Sequence, residues 1–464
     1  MKIHFNGAAQ TVTGSQYLIE LNGKKLLLEC GLFQGKRQDS YEKNRKFRFQ
    51  PSELDAVILS HAHIDHSGNL PNLIKNGYNG PIYTTPATAR LADVMLRDSG
   101  HIQEQDAKFV SKKNAKRGEP PVEPLYTLED ASQVMDHFEP MKYKESFEPI
   151  DGVHASLVDA GHILGAASVI LDIKENGRSY RFWFSGDIGR DNLPLLQDPN
   201  LPVKPDYLMM ECTYGDKVRP GPEAAAEEFG KHVKTAIAKG GKVIVPAFSV
   251  GRTQELVYDL NRLITAGELP RIPVYVDSPL SVQATEVFQK YPEYFDEETR
   301  QFVIEGKHPA LKFDGLTYIQ SVDESKALND RKGPMVIISA SGMAENGRIR
   351  HHLANNISDN RNTILIVSWQ APETLGRRLA DKNKSVRIFG EEYSVKANVV
   401  TINGFSAHAD QNMLMRYVKA GKDTLKKIIL VHGENRSAQP FKEKLAEAGF
   451  KDVEYPLLGD VIEI

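Results

Sequence analysis

The sequence predicts an α/β protein built on more than one hydrophobic core. At 464 residues the chain is longer than a single core usually supports, so we expect two domains. Its first part is rich in short strands, and beyond Gly221 short apolar strands alternate with helices. Such alternation is typical of a parallel sheet with helices on both faces. The predicted fold class is therefore α/β, with one region that has a mainly parallel sheet.

In the first part of the chain, strands are predicted from apolar runs separated by turn residues. The dipeptide Asn22-Gly23 between two such runs is a strong hairpin signal. Residues 97–145 are charged and helical in character, which is typical of an exposed insertion, and their basic run 112–117 is either a solvated face or an RNA contact. The predicted elements are strands at 3–5, 16–20, 25–28, 155–158, 167–173, 181–185 and 207–211, and a helix at 87–96.

Beyond Gly221 the hydrophobic pattern alternates between the helical and the strand period. The predicted helices are 224–238, 253–264, 348–355 and 438–448, and the predicted strands are 242–246, 274–277, 335–339, 363–368, 398–402 and 427–431.

Composition narrows the class of protein. The chain is 41% hydrophobic and 26% charged, and its formal net charge of −3 excludes a globally basic nucleic-acid binder. It has no run of 18 apolar residues and no signal-peptide pattern at its start, so we expect a cytoplasmic protein. Cys30 and Cys212 form no C-x-x-C pair, which argues against a thiolate zinc site.

The most informative segment is residues 61–66, His-Ala-His-Ile-Asp-His, which follow an apolar run at 54–59. Alternate side chains of an extended backbone point the same way, so His61 and His63 can reach one ion. After a turn, Asp65 and His66 can reach a neighbouring ion. A histidine-rich surface loop is the alternative, but this density of ligands beside a strand favours metal binding.

Three more candidate ligands, His162, Asp187 and His432, lie at or near predicted strand ends, where active sites of layered sheets collect. Two ligand sets follow, with Asp187 as the bridge: His61, His63 and His162 for one ion, and Asp65, His66 and His432 for the other. Imidazole and carboxylate without thiolate suit two zinc ions, with manganese or iron as alternatives. Two ions about 3.5–4 Å apart hold a bridging hydroxide suited to phosphoryl displacement.

The pattern H-x-H-x-D-H with the later His, Asp and His resembles the metallo-β-lactamase superfamily, a four-layer α/β/β/α sandwich. The later motifs resemble its β-CASP nuclease branch, which includes the endonuclease subunit of the cleavage and polyadenylation complex and minimal bacterial homologues. The resemblance implies a metallo-β-lactamase domain at 1–212 and 395–464, with a β-CASP domain inserted at 213–394.

The resemblance also implies roles. Glu211 is similar to the motif A carboxylate and His408 to the motif B histidine. Glu211 would accept a hydrogen bond from His408, which would protonate the departing oxygen, so Asp65, Glu211 and His408 are the expected catalytic residues. His432 matches motif C, where histidine goes with RNA-processing members. Glu29 stands where Asp is usual, as the residue that supports the ligand histidines from behind.

Loops between strands and helices of the inserted region are suited to phosphate, or are simply tight connections. The expected RNA phosphate contacts are Ser249, Arg252, Ser341, Arg348, Arg377 and Ser406. Tyr214, Phe248 and Phe405 either stack on bases or belong to the core.

The predicted function is a dinuclear zinc ribonuclease that holds single-stranded RNA in the cleft between its domains. A metal-bridging hydroxide attacks the phosphorus, and endonucleolytic cleavage is favoured over 5′-exonucleolytic cleavage. The alternatives are a small-molecule hydrolase, a DNA nuclease and a non-catalytic RNA-binding or assembly subunit. The oligomeric state stays open, a homodimer included.

Overall fold

The computed structural model describes residues 1–35, 37–306 and 309–464. These residues form two compact units. The first unit comprises Met1–Asp191, Asp198–Val218 and Ala407–Ile464, and the second comprises Asn192–Gln197 and Arg219–Ser406. The units divide at 218 and 406, whereas the sequence predicted divisions at 212 and 394. The later division arises because Asn398–Thr401 pairs with Thr363–Ile366 in the sheet of the second unit.

The described part of the first unit contains two seven-stranded sheets. In spatial order, the first sheet consists of Val461–Glu463, Lys2–Phe5, Tyr17–Leu21, Lys24–Leu28, Ala56–Ile58, Ile82–Thr84 and Phe138–Pro140. Asn22 and Gly23 have φ of 51° and 74°, the left-handed backbone that a tight two-residue hairpin requires. The predicted hairpin is thereby confirmed.

The second sheet brings the carboxyl ends of several strands to one edge. In spatial order it consists of Val453–Glu454, Lys427–Val431, Tyr207–Glu211, Arg178–Phe184, Ala167–Glu175, Val153–Asp159 and Ser146–Ile150. Its strands Lys427–Val431, Tyr207–Glu211 and Arg178–Phe184 are parallel to one another. The residues that follow these three strands therefore emerge on the same side.

The two sheets enclose one core and carry helices on their outer faces. Phe5 and Leu28 from the first sheet and Val169 and Phe182 from the second belong to the shared core. Alternate residues of the second sheet, such as Trp183, pack instead with the helices that follow it in the chain. The helices of this unit are Arg37–Arg45, Ile64–Ser67, Leu70–Lys75, Pro86–Ala115, Leu128–Gln133, Gln411–Ala420 and Asn435–Glu447, with 3₁₀ turns at Pro51–Glu53 and Val134–His137. The predicted four-layer α/β fold is confirmed.

The helix predicted at 87–96 is longer in the structure, where it covers Pro86–Ala115. Thr85 caps its start by accepting a hydrogen bond from the Thr88 N–H at 3.2 Å. Beyond residue 96 the helix is largely exposed and carries no apolar stripe that would signal its length. The basic run 112–117 lies at its exposed end.

The second unit is built on a parallel sheet, as predicted. Its described strands pair in parallel in the order Leu316–Ile319, Val274–Asp277, Met335–Ser339, Lys242–Pro246, Thr363–Ile366 and Asn398–Thr401. A separate hairpin pairs Ser385–Ile388 with Glu391–Ser394. The helices are Pro222–Ala238, Arg252–Thr265, Pro279–Lys290, Glu297–Gly306, Val322–Asp330, Ile349–Asn356 and Leu375–Ala380, with a 3₁₀ turn at Pro292–Tyr294. Lys242–Pro246 is buried along its whole length, as expected for a central strand covered on both faces.

None of the helices in the described ranges combines the length and the apolar character that crossing a membrane requires.

Candidate metal and catalytic site

Three histidines of the first unit converge at strand ends. His61 follows the strand Ala56–Ile58, His63 precedes the short helix Ile64–Ser67, and His162 lies in the loop after Val153–Asp159. His63 Nδ1 lies 3.1 Å from His61 Nε2 and 3.2 Å from His162 Nε2. One oxygen of Asp187, Oδ2, lies 3.6 Å from His61 Nε2 and 3.5 Å from His162 Nε2. Four potential ligand atoms therefore face a common point.

A second set faces a neighbouring point. His66 Nε2 and His432 Nε2 are 3.3 Å apart, and Asp65 Oδ2 lies 3.5 Å from His432 Nε2. The other oxygen of Asp187, Oδ1, lies 3.4 Å from His66 Nε2. Asp187 thus presents one carboxylate oxygen to each set.

The donor atoms fit a pair of divalent cations. Tetrahedral coordination with bonds of about 2.0–2.1 Å separates ligand atoms by about 3.3–3.4 Å, close to the 3.1–3.6 Å between the donor pairs named above. Burial lowers the pKa of His61 well below its usual value and that of His63 to about 4, which favours the neutral imidazole that binds metal. Burial raises the pKa of Asp65, but the nearby histidines, His432 first, outweigh it and lower that pKa to about 2.

Glu29 and Ser60 hold two of these histidines from behind. Glu29 is fully buried and its carboxylate contacts His66 Nδ1. It also accepts hydrogen bonds from the Ser60 N–H at 2.6 Å and the Ser60 hydroxyl at 2.9 Å. Ser60 Oγ lies 2.9 Å from His61 Nδ1, so the opposite nitrogen, Nε2, is left for the ion. Although Glu is longer than the Asp that is usual at this position, its side chain reaches the ligand histidines. The backbone of Glu29 is left-handed, with φ of 64°.

Sequence reasoning missed Ser60, although it directly precedes His61. It also missed Thr213, two residues after Glu211, whose hydroxyl donates to the His432 carbonyl at 3.0 Å and lies 3.2 Å from His432 Nδ1. Thr213 Oγ1 and, at 3.4 Å, Asp187 Oδ1 both face His432 Nδ1, and His432 Nε2 lies toward the second set. For both residues, the available signal was their position beside a ligand residue or a motif residue at the end of a strand.

His408 and Glu211 form a close pair beside Asp187. His408 Nδ1 lies 3.0 Å and 3.2 Å from the two oxygens of the buried Glu211, and His408 Nε2 lies 3.9 Å from Asp187 Oδ2. The Ile188 N–H donates to Glu211 at 2.7 Å and fixes that carboxylate. Burial lowers the pKa of His408, but Glu211 and Asp187 outweigh burial and raise it to about 10. The imidazolium is therefore the favoured form at neutral pH.

The residues expected to contact phosphate occupy different settings in the second unit. Arg252 is buried and ion-pairs with Glu255, and the Arg348 guanidinium pairs with Asp277 at 2.7 Å. Arg377 is exposed beside Asp381. The three serines, which are partly buried, are Ser249, Ser341 and Ser406.

The loop before the helix Arg252–Thr265 has the features of a tight connection, the alternative to a phosphate-binding loop. It curls back so that two of the first N–H groups of the helix meet carbonyls of the loop. The Arg252 N–H donates to the Val250 carbonyl at 3.1 Å, and the Thr253 N–H donates to the Phe248 carbonyl at 3.3 Å. The aromatic residues considered for base stacking differ in exposure. Phe405 is buried, whereas the Phe248 side chain is 44% exposed.

Comparison with known proteins agrees with this geometry. Residues 10–210 match the model of the metallo-β-lactamase superfamily, residues 253–379 the β-CASP domain, and residues 392–456 the Zn-dependent metallo-hydrolase RNA specificity domain. The chain is 35% identical, over the full length of both proteins, to ribonuclease TTHA0252 of Thermus thermophilus. It belongs to the β-CASP ribonucleases of the metallo-β-lactamase superfamily. The resemblance inferred from the motifs is thereby confirmed.

Other members and structures extend this comparison. The transcription termination factor FttA of Methanocaldococcus jannaschii is 32% identical over all of this chain and 72% of its own length. A crystal structure of a protein of unknown function from Enterococcus faecalis aligns with a TM-score of 0.57 over 99% of both chains. At 13% identity that alignment shows a shared fold alone. Membership of the β-CASP family, with its RNA specificity domain, supports metal-dependent hydrolysis of RNA.

Proposed function

We propose that this β-CASP protein is an endoribonuclease that uses two metal ions, with zinc as the metal its donor set favours. The observation that carries the proposal is the placement of Asp187, whose two oxygens face two separate ligand sets. A bridging carboxylate between two sets of imidazole ligands suits a dinuclear hydrolytic centre. When bound, the two ions supply Lewis acidity toward the phosphate and an activated water nucleophile.

The residues of the chain supply orientation and a proton. Asp65, His66 and His432 hold one ion, His61, His63 and His162 hold the other, and Asp187 is shared. His408 acts as the general acid, because Glu211 holds its Nδ1 and directs the Nε2 proton toward the side of Asp187. The proton passes from His408 Nε2 to the oxygen that leaves the phosphorus.

RNA is the favoured substrate for two reasons. The segment that carries His408 and His432 lies within the match to an RNA specificity domain, and the relative from Thermus thermophilus is named a ribonuclease. We propose single-stranded RNA as the form bound, a cytoplasmic location, and endonucleolytic rather than 5′-exonucleolytic cleavage. A small-molecule hydrolase has no need of the pair Glu211 and His408, so that pair favours a nuclease.

The test replaces the acid and leaves the metal ligands in place. His408→Ala should keep the metal content of the wild-type protein, measured by elemental analysis, and lose roughly 10²–10⁴-fold in RNA cleavage. His232→Ala is the matched control, because His232 also lies near a carboxylate, Glu228, but on a helix of the second unit. Cleavage of matched RNA and DNA strands labelled at either end then distinguishes substrate and mode of attack. Undiminished cleavage by His408→Ala would remove His408 as the acid.

A further inference from the structure

Two large aromatic side chains are exposed at one edge of the parallel sheet of the second unit. Phe248 is 44% exposed in the loop after the strand Lys242–Pro246, and Trp369 is 46% exposed in the loop after Thr363–Ile366. A single exposed aromatic needs no explanation. These two differ, because both lie beside the same residue, Gly342, which follows the strand Met335–Ser339: the Phe248 ring lies against it, and the Trp369 loop is hydrogen-bonded to it.

One face of the Phe248 ring lies against Gly342. A Cβ placed on Gly342 would lie 3.0–3.1 Å from Cγ, Cδ2 and Cε2 of Phe248. Three nearly equal distances to consecutive ring atoms place this position over the face of the ring and not at its edge. The Phe248 carbonyl also accepts hydrogen bonds from the N–H and the hydroxyl of Thr253, at 3.3 Å and 2.7 Å. The backbone of Gly342 therefore supports one face of a fixed ring that stays partly exposed.

Trp369 lies between two residues that are anchored to Gly342. The Ser368 hydroxyl and the buried Gln370 amide both donate to the Gly342 carbonyl, at 3.3 Å and 3.0 Å. The indole itself remains 46% exposed. Both aromatic rings are thus presented by loops that share one anchor, so little conformational entropy is lost when a flat ligand stacks on them.

We propose that Phe248 and Trp369 form a base-stacking subsite for single-stranded RNA. This inference rests on the proposed function and names the part of the substrate that the second unit recognises. Nucleobases are the flat groups of an RNA strand, and they stack on aromatic side chains with little regard to sequence. The exposed Arg378 lies on the helix Leu375–Ala380, whose Gly376 N–H donates to the Met343 carbonyl next to Gly342, and it supplies positive charge for the backbone, whereas Arg377 on the same helix pairs with Asp381 at 3.0 Å.

Tryptophan fluorescence provides a direct test, because the sequence contains only two tryptophans. Trp183 is buried and its indole N–H donates to the Tyr417 hydroxyl at 2.7 Å, so Trp369 dominates any response to ligand. In the His408→Ala background, a single-stranded oligouridine should quench the emission, and an abasic strand of equal length should not. Trp369→Phe should abolish the response. Equal quenching by RNA and by the abasic strand would overturn the proposal.

A kinetic test uses the wild-type active site. Phe248→Leu and Trp369→Leu should each raise KM for unstructured RNA roughly 5- to 100-fold with kcat within about twofold, as expected for loss of a base stack. Gly342→Ala should raise KM as well, because its Cβ displaces the Phe248 ring while the aromatic group is kept. Phe389→Leu is the matched control, since Phe389 is 48% exposed and lies against Arg350 and His351.

The two proposals fail in different ways. Wild-type cleavage of RNA with an unchanged KM in both leucine variants would overturn the stacking subsite and leave the nuclease in place. Absence of RNA cleavage by the metal-loaded wild-type protein would overturn the proposed function. Base-dependent quenching of Trp369 would still support the subsite in that event.

Discussion

Each unit contains a buried cluster of histidine and acidic side chains, and the two clusters differ in how their hydrogen-bonding groups are paired. In the first unit, ring nitrogens and carboxylate oxygens face one another at 3.1–3.6 Å, while their hydrogen-bonding partners Glu29, Ser60 and Thr213 lie behind them. The facing atoms are electron-pair donors. Electron-pair donors that face one another in this way fit a cation.

In the second unit, the hydrogen-bond donors to Asp277 are other side chains of the protein. Its carboxylate is fully buried and accepts from Arg348 at 2.7 Å, His352 at 2.6 Å and Ser325 at 2.5 Å. His352 Nδ1 in turn lies 3.0 Å from the Asn329 side-chain oxygen. Similar residue types therefore make a set of facing electron-pair donors in one unit and a self-sufficient network in the other. The difference lies in whether each acceptor meets a donor.

The largest effect is expected from Asp187→Ala, which removes the carboxylate shared by both ligand sets. Metal content should fall below that of the wild-type protein, and RNA cleavage should fall roughly 10³-fold or more, because neither ion keeps its full ligand set. Elemental analysis and a cleavage assay measure the two losses. Full metal content in this variant would show that the two sets do not share Asp187, and the comparison with Asp277 would lose its basis.

The matched change in the second unit is Asp277→Asn. It replaces a buried carboxylate that accepts from three donors, so the free energy of unfolding should fall by about 3 kcal/mol. Metal content should stay at the wild-type value, because Asp277 belongs to the network of the second unit. Denaturant unfolding monitored by circular dichroism gives the stability, and elemental analysis gives the metal content. A loss of metal without a loss of stability would contradict the contrast between the clusters.

The sequence predicts the residues of a cluster best where they lie close together along the chain. His61, His63, Asp65 and His66 could be found because they lie within six residues at the end of a strand. Their arrangement in two sets with His162, Asp187 and His432 needed strand ends to be placed on one edge, and the parallel strands of the second sheet do so. Ser60 and Thr213 were missed because position beside a ligand or motif residue was the signal for each, and that position does not show which group the hydroxyl contacts.

The fold was predictable to a similar degree. The strands Tyr207–Glu211, Lys242–Pro246, Met335–Ser339 and Lys427–Val431 agree with the sequence to the residue, because each is an apolar run buried on both faces. The helix Pro86–Ala115 was predicted too short because its second half is exposed. Phosphate roles were the weakest inference. The pairing of Arg252 with Glu255 and of Arg348 with Asp277 depends on tertiary contacts that no local pattern shows.

A smaller effect sharpens the role of the hydroxyls behind the metal ligands. Thr213→Val removes the group that orients His432 and should lower the affinity of the protein for metal about 10- to 100-fold. Thr213→Ser keeps the hydroxyl and should retain most of that affinity. Competition with a chromogenic chelator measures both constants. Equal affinities in the two variants would mean that the left-handed backbone of His432, at φ 45°, orients the ring by itself.

The smallest effect concerns Asp259, a buried carboxyl of the second unit that differs from Asp277 in its surroundings. Among the described residues, neither of its oxygens has a hydrogen-bond partner, and burial raises its pKa to about 7. Because the folded-state pKa lies above the unfolded value of about 3.9, the folded state binds the proton more tightly. This stabilisation is complete below about pH 4 and is lost as pH rises through 7. Between pH 6 and 8 the wild-type protein should therefore lose roughly 1 kcal/mol more unfolding free energy than Asp259→Asn, as measured by urea unfolding at both pH values. If the unfolding free energy fell equally in the two proteins, Asp259 would have to accept a hydrogen bond from a donor, as Asp277 does.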